Sequence, residues 1–245
     1  NLLSFQGQNS APLFMDVEVE AGEYESIRLG VNAVIGGSGG QGTPPDESVG
    51  CTYGGSYVLF ADEPTTPYNA YVPSGAQTGL KINSPFVVAQ GGSTSMTADF
   101  DLQKTITEPP GLEGDIIVRP SIRLMNDLDV GSIFGTVSEA LATQEVTLSV
   151  GSTVACAPSV YVFEDTDLTA SEIDKADSIA SGLVKNENDP TVYEYEIGFL
   201  QIGNSYDVAF SCDEGESFDD GIDTVTIDNA GDAKEVNFPV PQPTQ

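Results

Sequence analysis

The sequence predicts an all-β protein built of two antiparallel β-sandwich domains in tandem. Three observations predict this fold class: turn-forming Gly (26) and Pro (15) are abundant, short alternating apolar segments recur, and long helix-forming stretches are few. Apolar residues make up 39 % of the chain, which is enough for a core. We place the first domain at residues 1–132, incomplete at its N-terminus, and the second at residues 133–245.

Strand signals in the first half are separated by glycine and proline. Leu13–Val19 alternates and predicts a strand, Ala21–Tyr24 a turn, and Ile27–Val31 a second strand. Gly36–Pro45 lacks the Lys-Ser/Thr of a phosphate-binding loop and is interpreted as a flexible loop. Met96–Leu102 alternates again and predicts a strand with one apolar face.

The second half carries strand signals at sandwich-like spacing, with one ambiguous stretch among them. Ser171–Val184 is either a helix capped by Ser171 or a surface loop with one or two turns. The predicted strands are Ile133–Val137, Val146–Val150, Ser159–Phe163, Tyr193–Ile197, Ser205–Phe210, Thr224–Ile227 and Glu235–Val240.

One short pattern occurs in both halves. Residues 21–27 and 202–208 each contain a glycine turn followed by a strand that begins with a tyrosine, Tyr24 or Tyr206. We expect each tyrosine ring to pack in a core and each hydroxyl to bind a backbone group near its rim.

Composition excludes several classes of function. There are 38 Asp and Glu against 8 Lys and Arg, a net charge of -30, so phosphate backbones and anionic lipid surfaces are repelled. The chain has no histidine, and therefore no imidazole base, imidazole metal ligand or Ser-His nucleophile. We expect a protein that is not an enzyme, binds no nucleic acid and does not insert into a membrane.

Three cysteines are too few for a disulfide scaffold. Cys156 precedes one predicted strand and Cys212 follows another, so neighbouring strands would allow a Cys156–Cys212 disulfide. Cys51 lies among Gly and Ser and would be unpaired, or paired outside this chain. The alternative is three buried free thiols.

An acidic stretch supplies the only metal candidates, and no other cofactor is expected. Clustered carboxylates with glycine suit Ca²⁺, although the spacing differs from that of the helical-hand calcium loop. A second acidic cluster, Glu164–Asp167, would face the first if the cysteines pair. The alternative is a solvated loop between strands. The candidates are Asp213, Glu214, Glu216, Asp219, Asp220 and Asp223.

The first half resembles a known family. Its ordered motifs are Ala21–Leu29, Val72–Lys81, Ala98–Thr105, Arg119-Pro120 and Gly131–Val137. Together they resemble a domain-of-unknown-function family of bacterial surface lipoproteins, over roughly residues 1–137. The resemblance implies a cell-surface, extracellular location and brings no activity.

The second half resembles the carboxypeptidase-regulatory-like, transthyretin-like sandwich, through Gly131–Val137, Tyr161–Asp165 and Leu200–Val208. Such domains act as spacers, adhesion modules or structural units. A related class forms Lys–Asn isopeptide cross-links, but two of the three lysines of this half, Lys175 and Lys185, lie in or beside the ambiguous helical or loop stretch, so no such cross-link is expected.

Members of the first family open with a lipidated Cys and a strand pair that this chain lacks. A sandwich without those strands has an open edge and an apolar groove, which favour pairing with another chain. The sequence therefore predicts a subunit of a bacterial surface filament or pilus, a homopolymer assembled by β-strand exchange. A final strand that pairs in its own domain, and a truncated fragment, are the simpler alternatives. The strand-exchange candidates are Val236, Phe238 and Val240.

The second hypothesis is a monomeric surface binding or adhesion module, for a glycan or for calcium. The sequence identifies no ligand and does not say which chain would supply a missing strand.

Overall fold

The chain folds as short β-strands with very little helix, so the all-β prediction is confirmed. A helical turn at Leu102–Thr105, another at Glu139–Ala142 and a 3-10 turn at Lys175–Asp177 are the helical elements of the described residues. The computed structural model describes residues 4–30, 57–58, 68–72, 79–107, 115–147, 153–164, 169–187, 189–219 and 222–239.

Residue contacts divide the chain into two compact units. The large unit comprises Asn1–Glu18, Ser95–Asp99 and Met125–Gln245, and the small unit comprises Val19–Thr94 and Phe100–Leu124. This grouping differs from two consecutive domains that meet at residues 132 and 133, because the first 18 residues group with the C-terminal half. The arrangement as two tandem sandwiches stays a prediction.

The small unit consists of short ladders. β1 pairs with β6 and β2 with β5, both antiparallel, and a four-stranded sheet has the order β3-β4-β9-β8. The strands β7 and β10 pair as a two-stranded sheet. Each of these two strands has residues assigned to both units. Their bounds are β1 Gly22–Tyr24, β2 Ile27–Leu29, β3 Tyr57–Val58, β4 Tyr68–Tyr71, β5 Leu80–Ile82, β6 Phe86–Val88, β7 Met96–Asp101, β8 Ile106–Thr107, β9 Asp115–Val118 and β10 Ser121–Asn126.

The large unit contains the main core, enclosed by two sheets. One sheet has the strand order β16-β11-β19 and the other β15-β14-β17-β18, while β12 and β13 form a separate antiparallel pair. The bounds are β11 Val130–Val137, β12 Glu145–Thr147, β13 Thr153–Ala155, β14 Ser159–Glu164, β15 Ala180–Leu183, β16 Tyr193–Gln201, β17 Asn204–Ser211, β18 Asp223–Ile227 and β19 Ala233–Glu235.

Both sheets contribute side chains to one apolar cluster. Ile133 and Ile197 come from the three-stranded sheet, and Val160, Val208 and Phe210 come from the four-stranded sheet. These five residues are 3 % exposed or less. Because β-branched and aromatic side chains fill such a layer well, most predicted strands of the second half pair within these two sheets. The predicted strand at Val146 instead falls in the separate pair of β12 and β13.

Three sequence-based expectations of local structure are wrong. Gly22–Tyr24, expected to be part of a turn, forms β1 because it pairs with β6. Leu13–Val19 forms no strand, and its apolar side chains are 52–73 % exposed, because alternation marks an apolar face without supplying a hydrogen-bonding neighbour. Ser171–Val184 is not a helix. It contains the 3-10 turn and then β15, which adds to the edge of β14.

In both copies of the tyrosine pattern, the tyrosine hydroxyl donates to a backbone carbonyl, as expected. The Tyr206 ring is buried and its hydroxyl donates to the Gln201 carbonyl at 2.7 Å. The Tyr24 hydroxyl donates to the Glu20 carbonyl at 2.8 Å, and its ring stacks on Phe86. Each bond closes the corner that leads into the strand.

No helix in the described ranges has the length and apolar character needed to cross a bilayer. The Gly36–Pro45 loop, Cys51 and Val240 lie outside the described residues.

Candidate functional sites

Cys156 and Cys212 form a disulfide in the large unit, with their Cα atoms 4.6 Å apart. β14 pairs with β17 in a register that places Ser159 opposite Ser211, so the two cysteines flank the same end of this ladder. The Ala157 amide also donates to the Cys212 carbonyl at 2.8 Å. Strand pairing therefore brings the cysteines together, as the sequence predicts.

The acidic loop begins directly after Cys212, and Asp213 organises it. The Asp213 carboxylate accepts hydrogen bonds from the Ser211 hydroxyl at 2.8 Å and from the Ser217 amide and hydroxyl at 2.8 and 2.6 Å. Burial alone would raise the pKa of Asp213, but these donors outweigh it and lower the pKa. The carboxylate therefore closes a turn within its own loop.

Of the other candidates, Glu214 and Glu216 lie within that turn and Asp219 and Asp223 follow it. Glu214 and Glu216 are exposed, the Asp219 amide donates to the Phe210 carbonyl at 3.0 Å, and Asp223 opens β18 opposite Val208. Asp220 lies outside the described residues.

No group of three acidic or cysteine side chains that would hold a metal ion is found in the described part of the chain. The calcium assignment therefore stays a prediction. The expected second cluster is only partly described, since residues 165–167 fall outside it. Glu164 pairs with Tyr206, at the far end of the ladder from the disulfide. Five residues of strand separate it from Ser159, roughly 17 Å.

The acidic loop also covers a second, smaller core. Phe218 packs edge-on against Tyr161 and Phe163 with ring centroids 5.4 and 5.5 Å apart, and Ile173 joins them from the neighbouring loop. The Lys175 ammonium donates to the Glu214 carbonyl at 2.8 Å. The loop is thus held to the four-stranded sheet by apolar packing and by one cation.

The C-terminal segment, defined as residues 233–239, forms the last strand of the three-stranded sheet. β19 pairs in parallel with β11, placing Ala233 opposite Ser132 and Glu235 opposite Phe134. Beyond β19, the Val236 and Phe238 amides donate to the Phe134 and Thr136 carbonyls at 2.9 and 2.8 Å. The segment therefore continues to pair with β11 after the regular strand ends.

Val236 and Phe238 are anchors of this segment. They are 4 % and 6 % exposed and belong to the main core, where the Phe238 ring lies 6.0 Å from Tyr195 and 5.9 Å from Phe210. In this single chain Val236 and Phe238 pack in the core of their own domain, which agrees with the simpler sequence interpretation. Whether copies exchange them is not tested by one chain.

Asn237 and Gly135, which the sequence analysis did not single out, shape the place where the segment binds. The Asn237 side-chain oxygen accepts from the Thr136 amide at 2.8 Å and from its hydroxyl at 2.9 Å. A Cβ at Gly135 would overlap the Val236 carbonyl oxygen, and the Tyr195 hydroxyl donates to that oxygen at 2.8 Å. A glycine inside a predicted strand is the signal that marks such a close approach.

An N-terminal segment lies on the same sheet. Gly7 forms a parallel bridge with Ile197, and a Cβ at Gly198 would overlap the Gly7 carbonyl. The Gln8 side-chain amide donates to the Ser132 hydroxyl at 2.9 Å and to the Glu196 carboxylate at 3.1 Å. Residues near each end of the described chain therefore dock on one sheet.

A groove of about 950 Å³ runs beside this N-terminal segment. Three of its residues, Glu196, Phe134 and Glu235, lie side by side on β16, β11 and β19. Phe134 is 38 % exposed. Lys185 also lines the groove and pairs with Glu187 at 3.1 Å. The lining combines one aromatic face with several carboxylates.

Residues 1–120 match the model of a family described as Domain of unknown function (DUF4382). This match supports the expected domain-of-unknown-function family for the first half, while its lipoprotein character stays a prediction. The description names no activity. No curated protein matches the chain.

Proposed function

We propose that the protein is a non-enzymatic, extracellular structural subunit of a bacterial surface filament, joined to its neighbours by β-strand exchange. The donor is the C-terminal segment, and the acceptor is the place beside β11 that this segment fills in the single chain. The observation that carries the proposal is the position of this segment at the edge of the three-stranded sheet, where it pairs with β11 alone among the described strands.

Exchange of a terminal strand costs little, because every contact made within one chain is remade between two. Here the contacts are three residue pairs between β19 and β11, three further backbone hydrogen bonds, and the burial of Val236 and Phe238. Burial of two such side chains stabilises by roughly 1.5–3 kcal/mol each. An exchange in which each chain gives to one neighbour and accepts from another is head-to-tail, and it grows into a filament unless it closes into a ring.

The turn that precedes β19 is suited to act as the hinge. Asp232 accepts from the Asn229 amide at 3.0 Å, and Lys234 pairs with Asp228 at 3.1 Å. These exposed polar contacts stabilise the turn only modestly, because water and salt screen such an ion pair. A change of backbone direction at this turn would release the segment without disturbing β18.

Two further observations support an extracellular structural role. Disulfides such as Cys156–Cys212 persist in oxidising compartments outside the cytoplasm. The absence of histidine from the sequence leaves few routes to general acid–base chemistry near neutral pH. The lipoprotein and transthyretin-like resemblances belong to the same proposal, with the C-terminal half acting as a structural spacer.

An engineered disulfide tests strand exchange. Phe134 and Glu235 are direct partners on exposed positions of adjacent strands, which lie about 4.8 Å apart and within disulfide range. A Phe134→Cys/Glu235→Cys variant in a Cys51→Ser background should give a ladder of covalent multimers on a non-reducing gel. The ladder should collapse with reductant, and neither single variant should produce it. A product that is only intramolecularly cross-linked monomer would contradict the proposal.

The groove beside the N-terminal segment favours a second candidate, a monomeric binding module for a glycan. Phe134 offers a face for a sugar ring, and the neighbouring carboxylates accept hydroxyl hydrogen bonds. This function predicts a single monomeric species by light scattering. It also predicts that isothermal titration calorimetry detects binding of a neutral β-glucan hexasaccharide and that Phe134→Ala abolishes this binding. Filament assembly predicts no binding of the hexasaccharide.

A further inference from the structure

The place that receives the C-terminal segment has features of a sequence-selective binding groove. We call it the seat and define it by Phe134–Val137 of β11 and the following Ser138, with Tyr195 and Phe210 beneath. Its two ends bind backbone, since the Val236 amide donates to the Phe134 carbonyl and the Ser138 amide donates to the Phe238 carbonyl, both at 2.9 Å. Backbone pairing of this kind holds any extended chain, so selectivity must come from side chains.

Three side chains of the bound segment show which strand the seat accepts. Val236 and Phe238 point into the core two residues apart, as the period of a strand requires. Between them, Asn237 supplies the acceptor for the Thr136 amide in place of a backbone carbonyl. A one-residue slip would move the apolar side chains out of the core and remove this acceptor.

Asparagine suits the middle position better than its closest substitutes. Its oxygen accepts two bonds from Thr136, while its amide nitrogen donates to the Glu235 carboxylate at 2.9 Å. Aspartate would keep the acceptor but place a second carboxylate against Glu235, and alanine would leave the Thr136 amide without this bond.

Register is fixed independently at Gly135. The Val236 carbonyl occupies the space that a side chain would fill, and the buried Tyr195 hydroxyl donates to the same oxygen. Burial, together with the charge of Asp223, raises the pKa of Tyr195, so this donor keeps its proton throughout the physiological range.

We propose that the seat selects a strand of the pattern apolar–Asn–apolar, and that its occupant in assembly is the Val236-Asn237-Phe238 stretch of a second copy of this chain. The inference rests on the proposed function, because a second copy supplies the strand. The inference adds that Asn237 decides which strand the seat accepts.

A peptide assay tests the selectivity. A full-length Val236→Asp variant should release its own segment, since a carboxylate is costly to bury at this position. A fluorescent peptide of residues 229–245 should then bind, and peptides with Asn237→Ala or Asn237→Asp should bind about 10-fold more weakly, the loss expected for one or two hydrogen bonds. Equal affinities of the three peptides, or no binding by any of them, would overturn the inference.

Hydrogen exchange provides a second measurement that does not depend on the released variant. In full-length Asn237→Ala, the amides of Val236, Phe238 and Ser138 should exchange about 10-fold faster than in the unmodified chain. The control, Asn186→Ala, removes an exposed asparagine that binds the Pro190 carbonyl and should leave those amides unchanged. Unchanged exchange in Asn237→Ala would refute the selective role of Asn237.

The outcomes separate the two proposals. A covalent ladder together with equal peptide affinities would support strand exchange and contradict the selectivity of the seat. Selective peptide binding without a covalent ladder would support the selectivity of the seat and contradict strand exchange between copies.

Discussion

At the scale of single residues, small and polar side chains decide how the C-terminal segment docks. Val236 and Phe238 supply the apolar burial, but Gly135 makes room for the backbone and Asn237 completes its hydrogen bonding. Apolar residues of similar size could replace the two anchors with small losses. The glycine has no such substitute, because any Cβ would occupy the position of a carbonyl oxygen.

Gly135→Ala should therefore displace the C-terminal segment. We expect a loss of roughly 1–3 kcal/mol in the free energy of unfolding, the usual result of overpacking, measured by urea denaturation followed by circular dichroism. Gly22→Ala is the matched control, because a Cβ there has no described heavy atom within 4 Å. It should change stability by about 0.5 kcal/mol or less. Equal stability of the two variants would show that the close approach at Gly135 is relaxed in solution.

Asp213 should make part of the stability depend on acid. Its folded-state pKa is lowered, so its stabilising contribution is complete above the unfolded pKa of about 3.9 and is lost as pH falls through the folded value. Asp213→Asn should be less stable than the unmodified chain at pH 7, and the difference should shrink at pH 3.

Urea midpoints at the two pH values measure this difference. Glu216→Gln, which removes an exposed carboxylate from the same loop, is the control. A deficit of Asp213→Asn that is equally large at pH 3 would show that the loss comes from the changed geometry of the turn and not from the charge.

At the scale of elements, the pair of β14 and β17 is held both by a strand ladder and by the disulfide. The ladder covers six residue pairs, and the disulfide closes the chain at one end of it. The bridge spans 56 residues of sequence. A closed loop of that length restricts the unfolded chain strongly in the chain-entropy account.

Removing the disulfide should cost about 4 kcal/mol in the free energy of unfolding. The variant Cys156→Ala/Cys212→Ala and the unmodified chain treated with reductant should show the same lowered urea midpoint. The variant itself should not respond to reductant, which provides an internal control. A midpoint that reductant leaves unchanged in the unmodified chain would mean that the bridge contributes nothing to folding.

Elements with strong local patterns were predictable, and elements that depend on distant partners were not. β14 and β17 carry dense apolar runs beside cysteines, and both matched their predicted positions within one residue. Leu13–Val19 alternates equally well but has no strand to pair with among the described residues. The parallel pairing of β19 with β11 joins residues about 100 positions apart, so nothing local marks Asn237 as a partner of Thr136.

At the scale of the whole molecule, charge opposes both compactness and self-association. A net charge of -30 on 245 residues repels itself within one chain and repels a second copy at least as strongly. Strand exchange requires copies to approach closely, so assembly depends on screening. The screening length falls from about 10 Å at 0.1 M salt to about 3 Å at 1 M.

Salt should therefore stabilise the chain and promote its assembly together. Between 0.05 and 1 M NaCl we expect the melting temperature to rise by roughly 4–8 °C, the shift that about 2 kcal/mol produces in a chain of this size. Over the same range the Phe134→Cys/Glu235→Cys ladder should lengthen. KCl should reproduce both effects, because a second monovalent salt at the same ionic strength screens charge to the same extent. If the ladder lengthens while the melting temperature stays constant, charge repulsion acts between copies and not within one chain. If the ladder shortens with salt, ionic attraction joins the subunits in place of the exchanged strand.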